Sequence, residues 1–236
     1  MVNLKTLGLA AVGMIALNST ISAQDKVEAS VSADFVNQYI WRGQYCGSVS
    51  VQPSLGLSYK GFSIGAWGST ELVNQTCPKE FDLTVSYSTG KFNVGITDYW
   101  FDSPNERYFS YAAHKTSHIF EANIGYDFGL FSAQWYTNFA GNDGTNKDGD
   151  RAYSSYVELS APFTLGGLGW KATVGAVPFA TTLYAKANSF AVTNVSLTAT
   201  KDIKVTDSFS LPVFAGIATN PSTEKAYFLC GFTLKP

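Results

Sequence analysis

From residue 24 onward the chain carries apolar side chains at every second position, in short segments separated by turns that alternate between tight and long. The stretch from Glu80 to Tyr87 is the plainest case. Phe81, Leu83, Val85 and Tyr87 point to one side, and Glu80, Asp82, Thr84 and Ser86 to the other. Successive side chains of a strand face opposite ways, so such a segment needs oil on one side and water on the other. Repeated along the whole chain, the pattern predicts a closed transmembrane antiparallel β-barrel. A mean hydropathy of +0.01 sits far below that of a helical membrane protein. Strand-forming Val, Thr, Tyr and Phe are spread throughout, and aromatic residues make up 15% of the chain.

Twelve segments carry the alternation, the first read from Val27 to Ile40 and the last from Ala226 to Leu234. Most have the length of a tilted strand crossing a bilayer. Their connections strictly alternate. Lys60-Gly61, Thr89-Gly90-Lys91 and Gly129-Leu130 are tight, whereas the stretches around 41–47, 71–79, 102–116, 141–151 and 178–189 are mostly longer. Outer-membrane barrels have short periplasmic turns and long external loops, so an even strand number with both ends in the periplasm follows. Closing the last strand onto the first removes the exposed edges of an open sheet.

The first 23 residues read as a cleaved secretory signal peptide. Lys5 supplies the positive charge, Leu7 to Leu17 the apolar core, and Ile21-Ser22-Ala23 the small residues before cleavage. That core is about 11 residues, too short to span hydrocarbon as a helix, which needs about 20. Residues 24–236 then form one domain, with no Pro- or charge-rich linker. Loss of Lys5 takes the formal net charge from −2 to −3, which argues against a nucleic-acid partner. The expected address is the outer membrane of a Gram-negative bacterium, with membrane lipids, lipopolysaccharide and the barrel assembly machinery as partners. No cofactor is expected.

Cys46 and Cys77 fall in the first and second long loops, on the same side of the predicted barrel. An oxidising compartment favours a disulfide between them, and closing that loop would restrict the unfolded chain by roughly 3–4 kcal/mol. Two unpaired loop thiols are the alternative. Cys230 shares a face with Phe228, Phe232 and Leu234 and reads as a small lipid-facing hydrophobe. His114 and His118 have the i, i+4 spacing that joins ligands on a helix, but on a strand they would lie about 13 Å apart. They are expected as surface histidines. The polar run Asn142 to Asp150 fails the calcium-loop pattern at both ends and reads as a hydrated hairpin loop. No metal site is predicted.

Ser32 to Gly43 (SADFVNQYIWRG), Val51 to Thr70 and Glu80 to Tyr87 resemble the opening of the TorF family of porins, most closely at Tyr39-Ile40-Trp41-Arg42-Gly43 and Gly65-Ala66-Trp67-Gly68-Ser69. The likeness lies mainly over residues 32–101. It implies an outer-membrane barrel that conducts small solutes and supplies no catalytic residues. The chain departs from it in the cysteine pair.

Strand parity puts Glu28, Asp34, Glu80, Asp82, Glu121 and Glu158 in the lumen, with Arg42 and Lys171 as the clearest inward cations. An acidic lining favours cations in a pore. Twelve strands lie between barrels filled by side chains and wide aqueous porins, so the lumen can be open or plugged. The leading expectation is passive diffusion of small hydrophilic solutes, with a preference for cations. A nonconducting structural or surface-binding barrel is the alternative. A lipid-modifying enzyme at the outer wall ranks last, because no nucleophile motif accompanies His118.

Overall fold

The computed structural model describes residues 26–73, 76–102, 107–112 and 115–236. Residues 1–23, expected as the signal peptide, lie outside the described residues, as does His114. All regular elements among the described residues are strands. The first seven are β1 (Glu28–Val36), β2 (Tyr39–Trp41), β3 (Gln44–Gly47), β4 (Ser50–Tyr59), β5 (Phe62–Glu71), β6 (Lys79–Thr89) and β7 (Phe92–Asp102). The other seven are β8 (His118–Asp127), β9 (Ser132–Gly141), β10 (Ser155–Leu165), β11 (Leu168–Val177), β12 (Ala191–Lys204), β13 (Ser210–Asn220) and β14 (Lys225–Leu234).

Twelve of these close into an antiparallel barrel in which β1 pairs with both β4 and β14. The register across β6 and β7 is unbroken from Thr89↔Phe92 at the turn to Lys79↔Asp102 at the loop end, so facing residues keep their side along the whole strand. Leu55, Ile64, Val85, Ile96, Leu159 and Ile217 all project outward and are more than half exposed. An apolar belt running round a closed barrel is a lipid-facing wall. At the short-turn end it finishes in aromatic rings. Phe62 lies against Tyr87, Phe128 stacks on Phe131, and Phe163 stacks on Trp170. Amphipathic rings suit the level where hydrocarbon gives way to head groups.

The first segment departs from expectation. It does not run through to Ile40 but breaks after Val36, because Asn37 replaces the next ladder rung with its side chain. Its amide donates to the Phe228 carbonyl at 2.8 Å and its Oδ1 accepts from the Cys230 N–H at 2.8 Å. Gln38 donates to the same Phe228 carbonyl at 2.6 Å. With β14 satisfied in this way, the chain is free to leave the wall. Residues 39–47 turn into the barrel as a separate two-stranded hairpin, β2–β3.

Candidate functional site

The hairpin reaches most of the lumen wall. Tyr39 lies against Trp67 of β5, with ring centroids 5.5 Å apart. Trp41 packs on Tyr99 of β7 and on Tyr184, and Ile40 packs on Ala218 and Leu229 of β13 and β14. The Gly43 carbonyl accepts from Asn220 at 3.1 Å. At Gly43, φ is +78°, and a Cβ there would stand 1.8 Å from the Thr193 carbonyl oxygen of β12, so only glycine fits this seat. Tyr39, Ile40 and Arg42 are all buried.

Arg42, at the hairpin tip, anchors the plug. Its guanidinium binds the Glu121 carboxylate of β8 with two parallel hydrogen bonds of 2.5 and 2.8 Å. Glu121 also accepts from the hydroxyls of Tyr99 at 2.9 Å and Tyr184 at 3.1 Å. The Tyr184 oxygen accepts in turn from Arg42 and from Asn138. Burial pushes the Tyr184 phenol up, with Arg42 opposing, so it stays a neutral relay in this network. The rings of Trp41, Tyr136 and Tyr156 lie 4.3–4.7 Å from the guanidinium carbon. A buried guanidinium is tolerable when its charge is matched and hydrogen-bonded, and here Glu121 supplies the charge while Glu121 and Tyr184 accept its N–H groups. Gly175 helps on the far wall: with no Cβ it leaves room for the Tyr156 hydroxyl, which would stand 1.7 Å from one.

External loops lock the hairpin from above. The Ala185 N–H donates to Gln44 at 2.9 Å, and the 178–190 loop joins the 142–154 loop through Thr182 N–H to the Thr145 carbonyl and Ser154 to Thr181. The run Asn142 to Asp150 makes a turn in which the Asn146 Oδ1 accepts from the N–H groups of Asp148 and Asp150.

Below the hairpin the lumen is a polar cavity of about 460 Å³. It runs from the underside of Tyr39–Gly43 down to Asp127 and Gly129 at the short turns, between walls of Thr84, Ser86, Thr97, Ser160, Thr173, Ser196 and Thr198. The barrel is therefore shut at the loop end and hollow at the turn end.

Of the residues expected in the lumen, Asp82, Glu158, Lys171 and Arg42 line this cavity. Glu80 lies higher, within reach of the Tyr39 hydroxyl, and Glu121 is consumed by the plug. Asp34 accepts from Thr233 at 2.6 Å, while Glu28 lies exposed at the end of β1, opposite Ser58. Neither belongs to the cavity. Arg42 does lie in the lumen, but on an inserted hairpin and not on the wall. Tyr99, Tyr136, Tyr156 and Tyr184 are plug residues that the sequence reading passed over. Three of them carried a usable signal, a bulky aromatic at inward parity, but Tyr184 comes from a loop.

His118 is not a surface histidine. It is fully buried on the outward face, beneath residues 107–112. Its Nδ1 hydrogen-bonds the Asp98 carboxylate at 2.7 Å, and its Nε2 donates to the Tyr108 carbonyl at 2.6 Å. Tyr111 and Phe120 cover the ring. With both nitrogens occupied and no serine on either, the imidazole fastens the loop to the wall. Asp98 was the missed clue, an acid at lipid-facing parity in β7.

Cys46, Cys77 and Cys230 are free thiols, so the expected bridge is not formed in this structure. Glu71 nevertheless ties the two cysteine-bearing segments together, accepting from the N–H groups of Ser48 at 2.5 Å, Thr76 at 2.6 Å and Cys77 at 3.0 Å. Burial pushes the Cys46 thiol well up, with Glu80 adding to it.

Neither a family model nor a curated protein matches the chain. Among solved structures it is similar to Salmonella typhi OmpF in complex with daunomycin. That likeness has 9% identity and a TM-score of 0.38, covering 89% of this chain and 97% of the other. A likeness so slight bears on neither pore nor ligand, and the barrel stands on its own closed register.

Proposed function

We propose that this chain is a gated outer-membrane channel for small hydrophilic solutes, held shut in the described state by the 39–47 hairpin. The observation that carries the reading is the polar cavity beneath the plug. Twelve strands leave a lumen that side chains can fill or leave open, and this one keeps hydroxyl-lined space along its lower half. The plug is fastened in part by hydrogen bonds and one ion pair, which water can replace when the hairpin leaves. The resemblance to TorF porins and the lipid-facing belt agree with it.

Cation preference follows from the cavity's charges, because Asp82, Asp127 and Glu158 face Lys171 alone once Arg42 is matched by Glu121. Export through the signal peptide and assembly into an outer membrane rich in lipopolysaccharide complete the reading. A Cys46–Cys77 disulfide would add a covalent tie between the hairpin and the second loop, testable by non-reducing peptide mapping. An enzymatic role is not proposed, since His118 has no free nitrogen to act as a base.

Planar-bilayer recording tests the gate. The full chain should be mostly silent with rare openings, and a variant with residues 39–47 replaced by a short Gly-Ser turn should conduct steadily, at least tenfold above it. Silence of a correctly folded hairpin-deleted barrel would overturn the channel reading in favour of a structural barrel.

A further inference from the structure

One carboxylate in the cavity is unaccounted for. Asp82 is only 8% exposed and lines the cavity, yet its Oδ1 is buried with no hydrogen-bond partner among the described residues. Burying a carboxylate oxygen unpaired is costly, and such an atom in a folded protein calls for an explanation, a bound cation among them. The neighbours define which one.

Register places Trp67 of β5 directly opposite Asp82 on one side and Tyr99 of β7 directly opposite on the other. All three point inward and line the cavity, so the carboxylate sits between two aromatic side chains with facing Cβ atoms about 5 Å apart. Tyr39 of the hairpin closes the corner above Trp67. Glu80, one inward position further along β6, adds a second acid, and the cation of the plug is already spent on Glu121. The wall thus offers negative charge and π faces with no cation of its own. Arg42 is held above by four rings, and Lys171 lies across the barrel on β11.

We infer that the cavity is a binding site for a small organic ammonium ion, its charged head against Asp82 and framed by Trp67, Tyr99 and Tyr39. Aromatic faces beside a carboxylate recognise an alkylammonium through cation–π and charge-assisted contacts together. A divalent metal fits less well, because no three acid, histidine or cysteine side chains converge at ligand spacing among the described residues. About 460 Å³ suits a compact organic molecule.

This deepens the channel reading by naming a solute class, yet it does not depend on the gate, since the cavity extends to the short turns with the hairpin in place. The test is calorimetric titration of the full chain, folded in detergent micelles, with n-butylammonium chloride. Saturable binding is expected, weakened at least tenfold in Asp82→Asn and changed less than twofold in Asp148→Asn, which removes an equal charge from an exposed loop. Trp67→Leu, judged folded by its heat-modifiable migration, should also weaken binding several-fold, which covers the case of an Asp82 variant that does not fold. Undiminished binding in both cavity variants, equal binding of n-butanol, or displacement of butylammonium by calcium chloride would each overturn the proposal. A barrel that binds but never conducts sinks the channel and leaves this site; one that conducts and does not bind sinks the site alone.

Discussion

The upper and lower halves of the lumen are built on the same twelve strands with the same inward parity, yet one is solid and the other hollow. In the upper half Tyr99, Tyr136 and Tyr156 reach far enough to touch an inserted hairpin, and Glu121 is matched donor for donor. In the lower half the inward positions carry Thr84, Ser86, Thr97, Ser160, Ser196 and Thr198, too short to meet across the barrel. Both halves are polar. What decides whether a barrel of this width is filled is the size of the inward side chains and the presence of something to meet them.

The contrast is broken most severely at its anchor. Arg42→Ala leaves Glu121 buried without its counter-charge, which costs about 3–5 kcal/mol for an ion pair of this kind. The expected outcome is a lowered urea midpoint together with frequent channel openings. Replacing both partners, Arg42→Leu with Glu121→Leu, should recover much of the stability while leaving the hairpin less firmly held, because no unpaired charge remains. Equal midpoints for Arg42→Ala and the native chain would show that the upper half is not held by this pair.

A smaller change addresses the seat alone. Gly43→Ala introduces a Cβ against the Thr193 carbonyl at a positive φ, and a strain of about 1–3 kcal/mol is expected. Openings should increase while the barrel's circular dichroism stays unchanged. The same substitution at Gly129, which also has a positive φ but an open surround, should leave gating untouched.

How much of this was legible depended on distance along the chain. Parity alone found the barrel, its belt, and the inward acids Glu80, Asp82, Glu121 and Glu158, because alternation is a local property of each strand. It missed the hairpin because Val27 to Ile40 reads as one segment. The break is made by Asn37 and Gln38 bonding to carbonyls of β14 some 190 positions away. Tyr39-Ile40-Trp41-Arg42 did carry a trace of it, being too apolar and aromatic for a loop in water. Tyr184 carried none. His118 was misread for the same reason, since Asp98 and the Tyr108 carbonyl that bury it come from another strand and a folded-back loop.

The cysteines sharpen the contrast at a finer scale. Cys46 belongs to the hairpin and Cys77 to the second loop, and burial raises the thiol pKa of both, with Glu80 adding to the effect at Cys46 and Glu71 at Cys77. The shift is the larger at Cys46, so less of it is thiolate at a given pH. After reduction, iodoacetamide at pH 8 should modify Cys77 several-fold faster than Cys46, and Arg42→Ala should narrow that gap by freeing the hairpin.

The smallest effect is expected where the barrel is hollow. Ser196→Ala in the lower half removes a hydroxyl that faces the cavity and has space beside it, so the unfolding free energy from urea titration should change by no more than about 0.5 kcal/mol. Ser196→Phe should be tolerated almost as well, because the added ring enters empty volume instead of a packed wall. In the hairpin-deleted barrel, however, the same ring narrows the lower lumen, so steady conductance should fall while stability does not. If Ser196→Phe instead destabilises the chain as much as Gly43→Ala, the lower half is packed after all, and the division between a filled and a hollow lumen fails at the position where it is easiest to measure.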